Sequence, residues 1–335
     1  VIRIALDAMG GDHAPETEIA GALAALATLP GNFIVQLVGR TETIEAELAR
    51  HTGVDRSRLA VVEAPDVVGM AEKPIAAIRR KPKSSLMVGL ALQREGKSDA
   101  FISAGNTGAS LAAATVSLGL HTGVVRATVA TAFPTADDPV VVLDGGANVD
   151  CDPRELVGFA YLGTVYARDV LGKASPKVGL LNVGEEDSKG TATVKAAHAL
   201  LKTAPGLHYV GNVEGRDIVA GHARHGHIDV VVCDGFVGNI VLKFYESVAR
   251  LIVRLVKRKA PEILEREDVR EVFRVLDYSE YGGAPLLGVK GVCIICHGAS
   301  SPNAIMNAIR MAAHSAEVGL SQHIGAQFAL LAADS

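Results

Sequence analysis

The sequence predicts an α/β fold: an α/β/α sandwich in which helices cover both faces of a mostly parallel sheet. Three observations carry this. Strand-like and helix-like patterns alternate almost throughout the chain, as βαβ units require. The strand runs are short, continuous and rich in Val, Ile and Leu, which suits strands buried on both faces. Several runs also end in glycine-and-asparagine junctions, namely DAMGGDH from Asp7, SAGNTG from Ser103, LDGGAN from Leu143 and CDGFVGN from Cys233, with GNVEGRD from Gly211 as a further junction.

The elements follow in order. Ile2–Leu6 reads as a strand, and the alanine-rich Glu16–Leu29 has helical spacing. Phe33–Val38 is a strand, Thr43–Arg50 a helix and Leu59–Glu63 a strand. Ile75–Arg80 and Ser85–Arg94 read as helices, Asp99–Ser103 as a strand and Thr107–Leu118 as a small-residue helix that must pack tightly. Thr128–Phe133 and Val140–Asp144 are expected as strands separated by Pro134–Pro139. Pro153 suits the first turn of a long helix to Leu171. Lys177–Asn182 is a strand, Thr191–Lys202 a helix, and Ile228–Asp234 a strand leading to a helix over Asn239–Lys259. Val289–Cys296 is a strand and Pro302–Ala316 the closing helix. No repeat or long linker interrupts the pattern. The charged stretch Lys257–Glu271 suggests a protruding helical hairpin around 247–274, inserted in a single α/β catalytic domain spanning 1–335.

Composition narrows the function. With 335 residues, 49% of them hydrophobic, the chain can bury a large core. A net charge of -4 gives no reason to expect nucleic-acid binding. Aromatics at 4%, with no Trp, argue against a base-stacking surface. Cys293 and Cys296 have a CxxC spacing, but they lie in and just after an apolar run, far in sequence from Cys151 and Cys233. They read as small hydrophobes of a buried strand, so reduced thiols and a cytoplasmic address are expected. No apolar segment reaches transmembrane length, and Ile2–Leu6 passes straight into a glycine loop without a signal pattern.

The junctions carry the chemistry. Glycine lets main-chain N–H groups approach a ligand closely, and open α/β sheets bind ligands past the carboxyl ends of their strands. Asp7, Gly10 and Gly11 lie in the first junction, Asn106 and Thr107 in the second, and Gly145, Gly146 and Asn148 in the third. GEEDSKG, from Gly184, offers Lys189 after a strand. GNVEGRD offers Asn212, Glu214 and Arg216, while DGFVGN offers Asp234 and, at a helix start, Asn239. Such neutral donors and a cation suit a phosphate or the oxyanion of a tetrahedral intermediate. Any one loop also fits an ordinary capped turn, and Glu214 and Arg216 also fit a mutual ion pair; several junctions together point to a ligand cleft. DAMGGDH is not the GxGxxG of a dinucleotide site, no Walker A loop is present, and no His/Cys/carboxylate grouping has metal spacing, so neither cofactor nor metal is expected.

Ser247–Lys259 reads SVARLIVRLVKRK. Val248, Leu251, Ile252, Leu255 and Val256 share one face, with Arg250, Arg254, Lys257 and Arg258 opposite. This basic amphipathic pattern fits a core or dimer-interface helix, and it fits contact with anionic lipid or an acidic protein. Arg79, Arg80, Lys81 and Lys83 form a second basic cluster.

Seven ordered segments then resemble one family. ALDAMGGDHAP, GMAEKPIAAIRRKPKSS, AFISAGNTGA, VLDGGANVDC, GNVEGRD, DGFVGN and YGGAPLLGV (from Tyr281) resemble the PlsX-type phosphate acyltransferases, over Ile2 to about Ala313. The resemblance implies transfer of a long fatty acyl group from acyl carrier protein to inorganic phosphate, making acyl phosphate for phospholipid synthesis. It implies a fold related to phosphate acetyltransferases and isocitrate-type dehydrogenases, a homodimer, and peripheral attachment to a membrane surface through a hairpin at Leu251–Leu264. The departures are Ala127, where the family commonly has proline, and Cys233 and Cys296, where Thr and a small residue are expected; none removes a catalytic group.

Phosphate is already an anionic nucleophile near neutral pH, so positioning and charge stabilisation are the main tasks. Lys189 and the glycine-loop N–H groups are expected to hold phosphate. Asn106, Asn212 and Asn239 would orient it or polarise the thioester carbonyl. His13 or His297 would aid departure of the thiolate, whose thiol has a pKa of about 8.5. Arg79, Arg80 and the basic helix would dock the acidic carrier protein, an attraction that salt weakens. Rival readings on this architecture are a phosphate acetyltransferase using acyl-CoA, a nicotinamide-dependent dehydrogenase and a non-catalytic membrane scaffold.

Overall fold

The computed structural model describes residues 1–53, 55–224, 226–276 and 282–333; Tyr281, which opens the last resembling segment, lies outside them. The chain forms two compact units, Val1–Ala127 with Tyr281–Ser335, and Thr128–Glu280, where the sequence suggested one catalytic domain. Each unit has its own mostly parallel sheet.

In the first unit the strands lie in the order Leu59–Glu63, Phe33–Gly39, Ile2–Asp7, Ala100–Ser103, Val292–Ile295 and Ala284–Leu287. All neighbours are parallel except Ala284–Leu287, which runs antiparallel to Val292–Ile295. One face packs Ile4, Leu6, Val35, Leu37, Ile102 and Ile294 against Ile19 and Ala22 of the helix Glu16–Thr28 and Ile305, Ala308 and Ile309 of the helix Pro302–Glu317. These two helices touch closely because position 21 is glycine: a Cβ there would lie 2.5 Å from Ile305 Cβ. On the other face the helix Ser85–Arg94, capped by Ser84, brings Gly89 onto the Phe101 ring.

The second unit orders its strands Thr131–Phe133, Val140–Leu143, Val230–Val232, Lys177–Leu181 and His208–Val213. Only Thr131–Phe133 is antiparallel. The Pro134–Pro139 link is too short for a crossover, so the two strands it joins must be antiparallel. The expected single run Thr128–Phe133 breaks at Ala130 into Thr128–Val129 and Thr131–Phe133. The helix Pro153–Asp169 starts with a capping box between Asp152 and Glu155 and covers one face, with Gly163 against Val230 and Leu143. The helix Gly235–Lys259 covers the other, where Val237, Val241, Leu242 and Tyr245 meet Phe133, Val142 and Val231. Phe133 and Tyr245 meet edge-on, 5.7 Å between centroids.

The helical stretch expected around 247–274 is part of a longer run. The helix beginning at Gly235 continues unbroken to Lys259, followed by a 3₁₀ turn at Pro261–Glu265 and the helix Glu267–Leu276. Among the described residues, no helix is long and apolar enough to cross a membrane.

Gly238 faces the Asp144 backbone, and a Cβ there would meet the Asp144 carbonyl oxygen well inside van der Waals contact. Gly238→Ala is therefore expected to destabilise the protein by about 1–3 kcal/mol, lowering the melting temperature by roughly 2 °C or more in a calorimetric scan. An unchanged melting temperature would contradict this packing.

Candidate active site

In the second unit, Val140–Leu143, Val230–Val232, Lys177–Leu181 and His208–Val213 are adjacent and parallel, so their carboxyl ends share one edge. LDGGAN, CDGFVGN, GEEDSKG and the EGRD turn all leave from that edge. Ligands of open α/β sheets bind at such an edge.

Asp144, fully buried, organises it. Its Oδ1 accepts from the N–H groups of Val129 at 3.0 Å, Gly146 at 3.3 Å and Ala147 at 3.2 Å. Its Oδ2 accepts from Asn148 N at 2.6 Å and from Asn148 Nδ2 at 2.9 Å. Five donors thus meet one carboxylate, which is how a buried charge becomes tolerable. The Asn148 amide, expected to face a ligand, donates instead to Asp144.

The neighbouring loop closes on this turn. Gly235 N donates to Asn148 O at 2.7 Å, and Cys233 N donates to Leu143 O at 2.6 Å. Asp234 caps the helix Gly235–Lys259, its Oδ1 accepting from Val237 N at 2.8 Å. Gly146 has φ +131, and a Cβ there would lie 3.2 Å from Asn239 Cβ, so Asn239 sits exposed beside the glycine turn in the first turn of the helix. A helix N-terminus and an exposed amide together suit an anion. The N–H groups of the LDGGAN turn, expected to face a ligand, are instead taken up inside the protein, Gly145 N by Val129 O and those of Gly146, Ala147 and Asn148 by Asp144.

Lys189 is exposed, its stem resting over Gly184, and among the described residues no carboxylate pairs with its ammonium. Buried Asn212 donates through Nδ2 to Glu186 O at 3.2 Å, tying the Lys189 loop to the last strand, while its Oδ1 has no hydrogen-bond partner. Glu214 pairs with Arg216 at 3.1 Å. Val149 and Val183, on two loops of the same edge, and Phe236, in the first turn of the helix Gly235–Lys259, are exposed apolar side chains.

The first unit repeats the arrangement on its own edge, where Ile2–Asp7, Ala100–Ser103 and Val292–Ile295 are adjacent and parallel. Asp7 is buried; it accepts from Ser103 Oγ at 2.8 Å and Met9 N at 3.2 Å, yet desolvation outweighs these bonds and raises its pKa. Gly10 lies against Asp7 and Gly105, leaving no room for a side chain. Asn106 is wholly engaged: Oδ1 caps the helix Thr107–Leu118 through Ala109 N at 3.0 Å, and Nδ2 donates to Met70 O at 2.8 Å and Glu72 O at 3.1 Å. Thr107 is exposed at that helix start. His13 and His297 are exposed, and Asp12 N donates to Gly298 O at 2.8 Å, joining their two loops.

Arg79 and Arg80 are exposed at the end of the helix Pro74–Arg80, where Arg80 pairs with Glu72 at 3.3 Å. Arg254, Leu255, Lys257 and Arg258 are exposed, and Arg250 pairs with Glu246 at 3.6 Å. The thiols are inert: burial pushes Cys151, Cys293 and Cys296 up to about 12 and raises Cys233 as well.

Sequence reasoning missed Asp144, Ser103 and Glu18. Asp144 and Ser103 stand at the ends of apolar runs, one and two residues before a glycine, which is the signal that finds them. Glu18 gave none, being one more acid in a helix's first turn. It is buried under the first glycine loop beside Gly11, and its Oε2 has no partner. Desolvation first, then the charges of Asp7 and Asp12, raise its pKa from 4.5 to about 8.

The folded state therefore keeps a proton on Glu18 that the unfolded chain releases. The Glu18 contribution to stability is complete below about pH 4.5 and is lost as pH rises to about 8, by at most about 1.4 kcal/mol per pH unit. Denaturant melts from pH 5 to 8 should show wild type losing stability relative to Glu18→Gln as pH increases. Parallel stability curves for the two proteins would refute the buried, protonated carboxyl.

A family model described as fatty acid synthesis protein matches residues 2–323. The phosphate acyltransferase of Nostoc punctiforme is 44% identical over 339 residues, covering 98% of this chain and 97% of that protein. That of Desulforamulus reducens is 47% identical over 328 residues, covering 96% and 95%. A phosphotransacetylase from Streptococcus pyogenes shares the fold, with TM-score 0.63 and 16% identity over 94% of each chain. With these matches running almost end to end through every glycine junction described above, the chain belongs to the PlsX-type phosphate acyltransferase family.

Proposed function

We propose that this chain transfers a long-chain fatty acyl group from acyl carrier protein to inorganic phosphate, giving acyl phosphate for phospholipid synthesis. The observation that carries the reading is one sheet edge that combines anion-binding features with apolar ones. The Asn239 amide, a helix N-terminus and the Lys189 ammonium suit phosphate. Exposed Val149, Val183 and Phe236 at the same edge suit a fatty chain and have no role with a small charged substrate. The names of the relatives, phosphate acyltransferases, support the same chemistry.

In this reading a phosphate oxygen attacks the thioester carbonyl carbon. The C–O bond forms as the C–S bond breaks, and the thiolate leaves and takes up a proton. No acyl-enzyme is needed, and no cysteine is fit to form one, since the thiols are held protonated by burial. Lys189 and the segment Asp234–Asn239 hold phosphate, beside the turn at Gly145–Gly146. Asn212 acts by holding the Lys189 loop. His13 and His297, exposed on their own unit, remain the proposed proton donors to the thiolate. Arg79 and Arg80 are assigned to the acidic carrier protein, and the basic helix with Arg250, Arg254, Leu255, Lys257 and Arg258 to an anionic membrane surface. A homodimer and a peripheral, cytoplasmic location complete the reading.

The assay is release of free carrier protein on mixing acyl carrier protein with phosphate, with acetyl-CoA as the competing donor. Lys189→Ala and Asn239→Ala should each lower turnover on the order of 100-fold. If both keep wild-type rates, the phosphate assignment is wrong; if acetyl-CoA outcompetes the acyl carrier protein, the fatty substrate is wrong. Leu255→Glu should abolish flotation with anionic vesicles while preserving turnover in solution. Unchanged flotation would remove the membrane assignment.

A further inference from the structure

A buried histidine outside the glycine loops holds the segment that carries Lys189. His198 lies on the helix Ala192–Leu201, its side chain only 7% exposed. Both ring nitrogens are bound: Nε2 to Asp187 Oδ1 at 2.9 Å and Nδ1 to Tyr209 Oη at 2.6 Å. A carboxylate only accepts, so Nε2 carries a proton and donates it to Asp187. In the neutral ring, Nδ1 then accepts from the Tyr209 hydroxyl. Tyr209 stands on the strand His208–Val213, and Asp187 lies in the GEEDSKG loop two residues before Lys189.

The order Tyr–His–Asp resembles a nucleophile relay, but the energetics exclude one. Burial, and then the Asp187 charge, push the Tyr209 phenol up, so it stays protonated and unreactive. Asp187 is instead the anchored member. Lys202 and His198 hold its carboxyl below the usual range, and Lys202 pairs with it directly. The loop has few other ties: Asn212 Nδ2 to Glu186 O at 3.2 Å and Asn182 Nδ2 to Lys189 O at 3.3 Å. Gly190 adopts φ +91, so the loop ends at a residue of high intrinsic freedom. A long exposed lysine on such a loop binds an anion well only if its backbone is fixed beforehand.

We propose that His198 is a positioning residue for Lys189, its ring bridging Tyr209 and Asp187 so that the GEEDSKG loop is pre-set for phosphate. This rests on the reading that Lys189 binds phosphate, and the experiment separates the two. Steady-state kinetics on the full chain, with phosphate varied at saturating acyl carrier protein, compare His198→Ala, His198→Gln, Asp187→Ala, Lys189→Ala and the double variant His198→Ala with Lys189→Ala. His198→Ala and Asp187→Ala should each raise the KM for phosphate on the order of 10-fold with kcat little changed. His198→Gln should recover most of the loss, because its amide donates to Asp187 and accepts from Tyr209. The double variant should have the phosphate KM of Lys189→Ala alone.

If Lys189→Ala raises the KM and neither His198→Ala nor Asp187→Ala does, the positioning role fails and the Lys189 reading stands. If Lys189→Ala changes neither turnover nor the KM for phosphate, both fall. Should His198→Ala not fold, Asp187→Ala decides alone, since that side chain is 69% exposed and leaves the core intact. A loss in kcat and both KM values that His198→Gln does not repair marks a purely structural histidine and overturns the proposal.

Discussion

The second unit depends on one buried carboxylate. Asp144 sits at the end of a central strand with no access to water, and an ion there is tolerable only if it is thoroughly hydrogen-bonded. Four main-chain N–H groups and one side-chain amide meet that need. Satisfying the charge fixes the LDGGAN turn, because three of the N–H groups come from consecutive residues of that turn. The fixed turn then sets how closely the next loop approaches. Glycines at 235 and 238 are the residues that fit against Asp144 and Asn148, so the helix start at Asp234 lands beside Gly146. The geometry of this edge is thus a by-product of satisfying the carboxylate below it.

Asp7 plays the corresponding part in the first unit, with a different outcome. It stands at the end of a central strand and is bonded by a serine hydroxyl and a turn N–H, but these do not offset its desolvation. Glu18 lies near it with one oxygen unpartnered. The first edge therefore holds acids biased toward their neutral forms, and the second holds a carboxylate ringed by donors. Two edges built by one device thus differ in how fully their acids are hydrogen-bonded.

Much of the fold was legible because its signals are local. The Val-, Ile- and Leu-rich runs and the glycine junctions marked most strands and their binding ends. The strand His208–Val213 escaped because HYVGNV has no continuous apolar run and carries Gly211 at φ +106. The division into two units was hidden because both halves share one βα rhythm. Within the site, the junctions were found but the roles inside them were not all readable. Asn106 and Asn148 looked like ligand donors, yet both amides are committed to the protein's own carbonyls and carboxylate. Which amide faces inward depends on groups distant in sequence. The Asp187–His198–Tyr209 bridge was unreadable for the same reason, as it joins a loop, a helix and a strand with no common motif.

The helix Gly235–Lys259 begins at the glycine-turn edge of the second sheet and ends among Lys257, Arg258 and Lys259. Its 25 residues make a rod roughly 37 Å long. Asn239 and the basic terminus are therefore mounted on one stiff strut, with no hinge glycine between Gly238 and Lys259 to decouple them. Under the proposed function, the adhesive tip and the phosphate-holding amide would be opposite ends of one rigid rod.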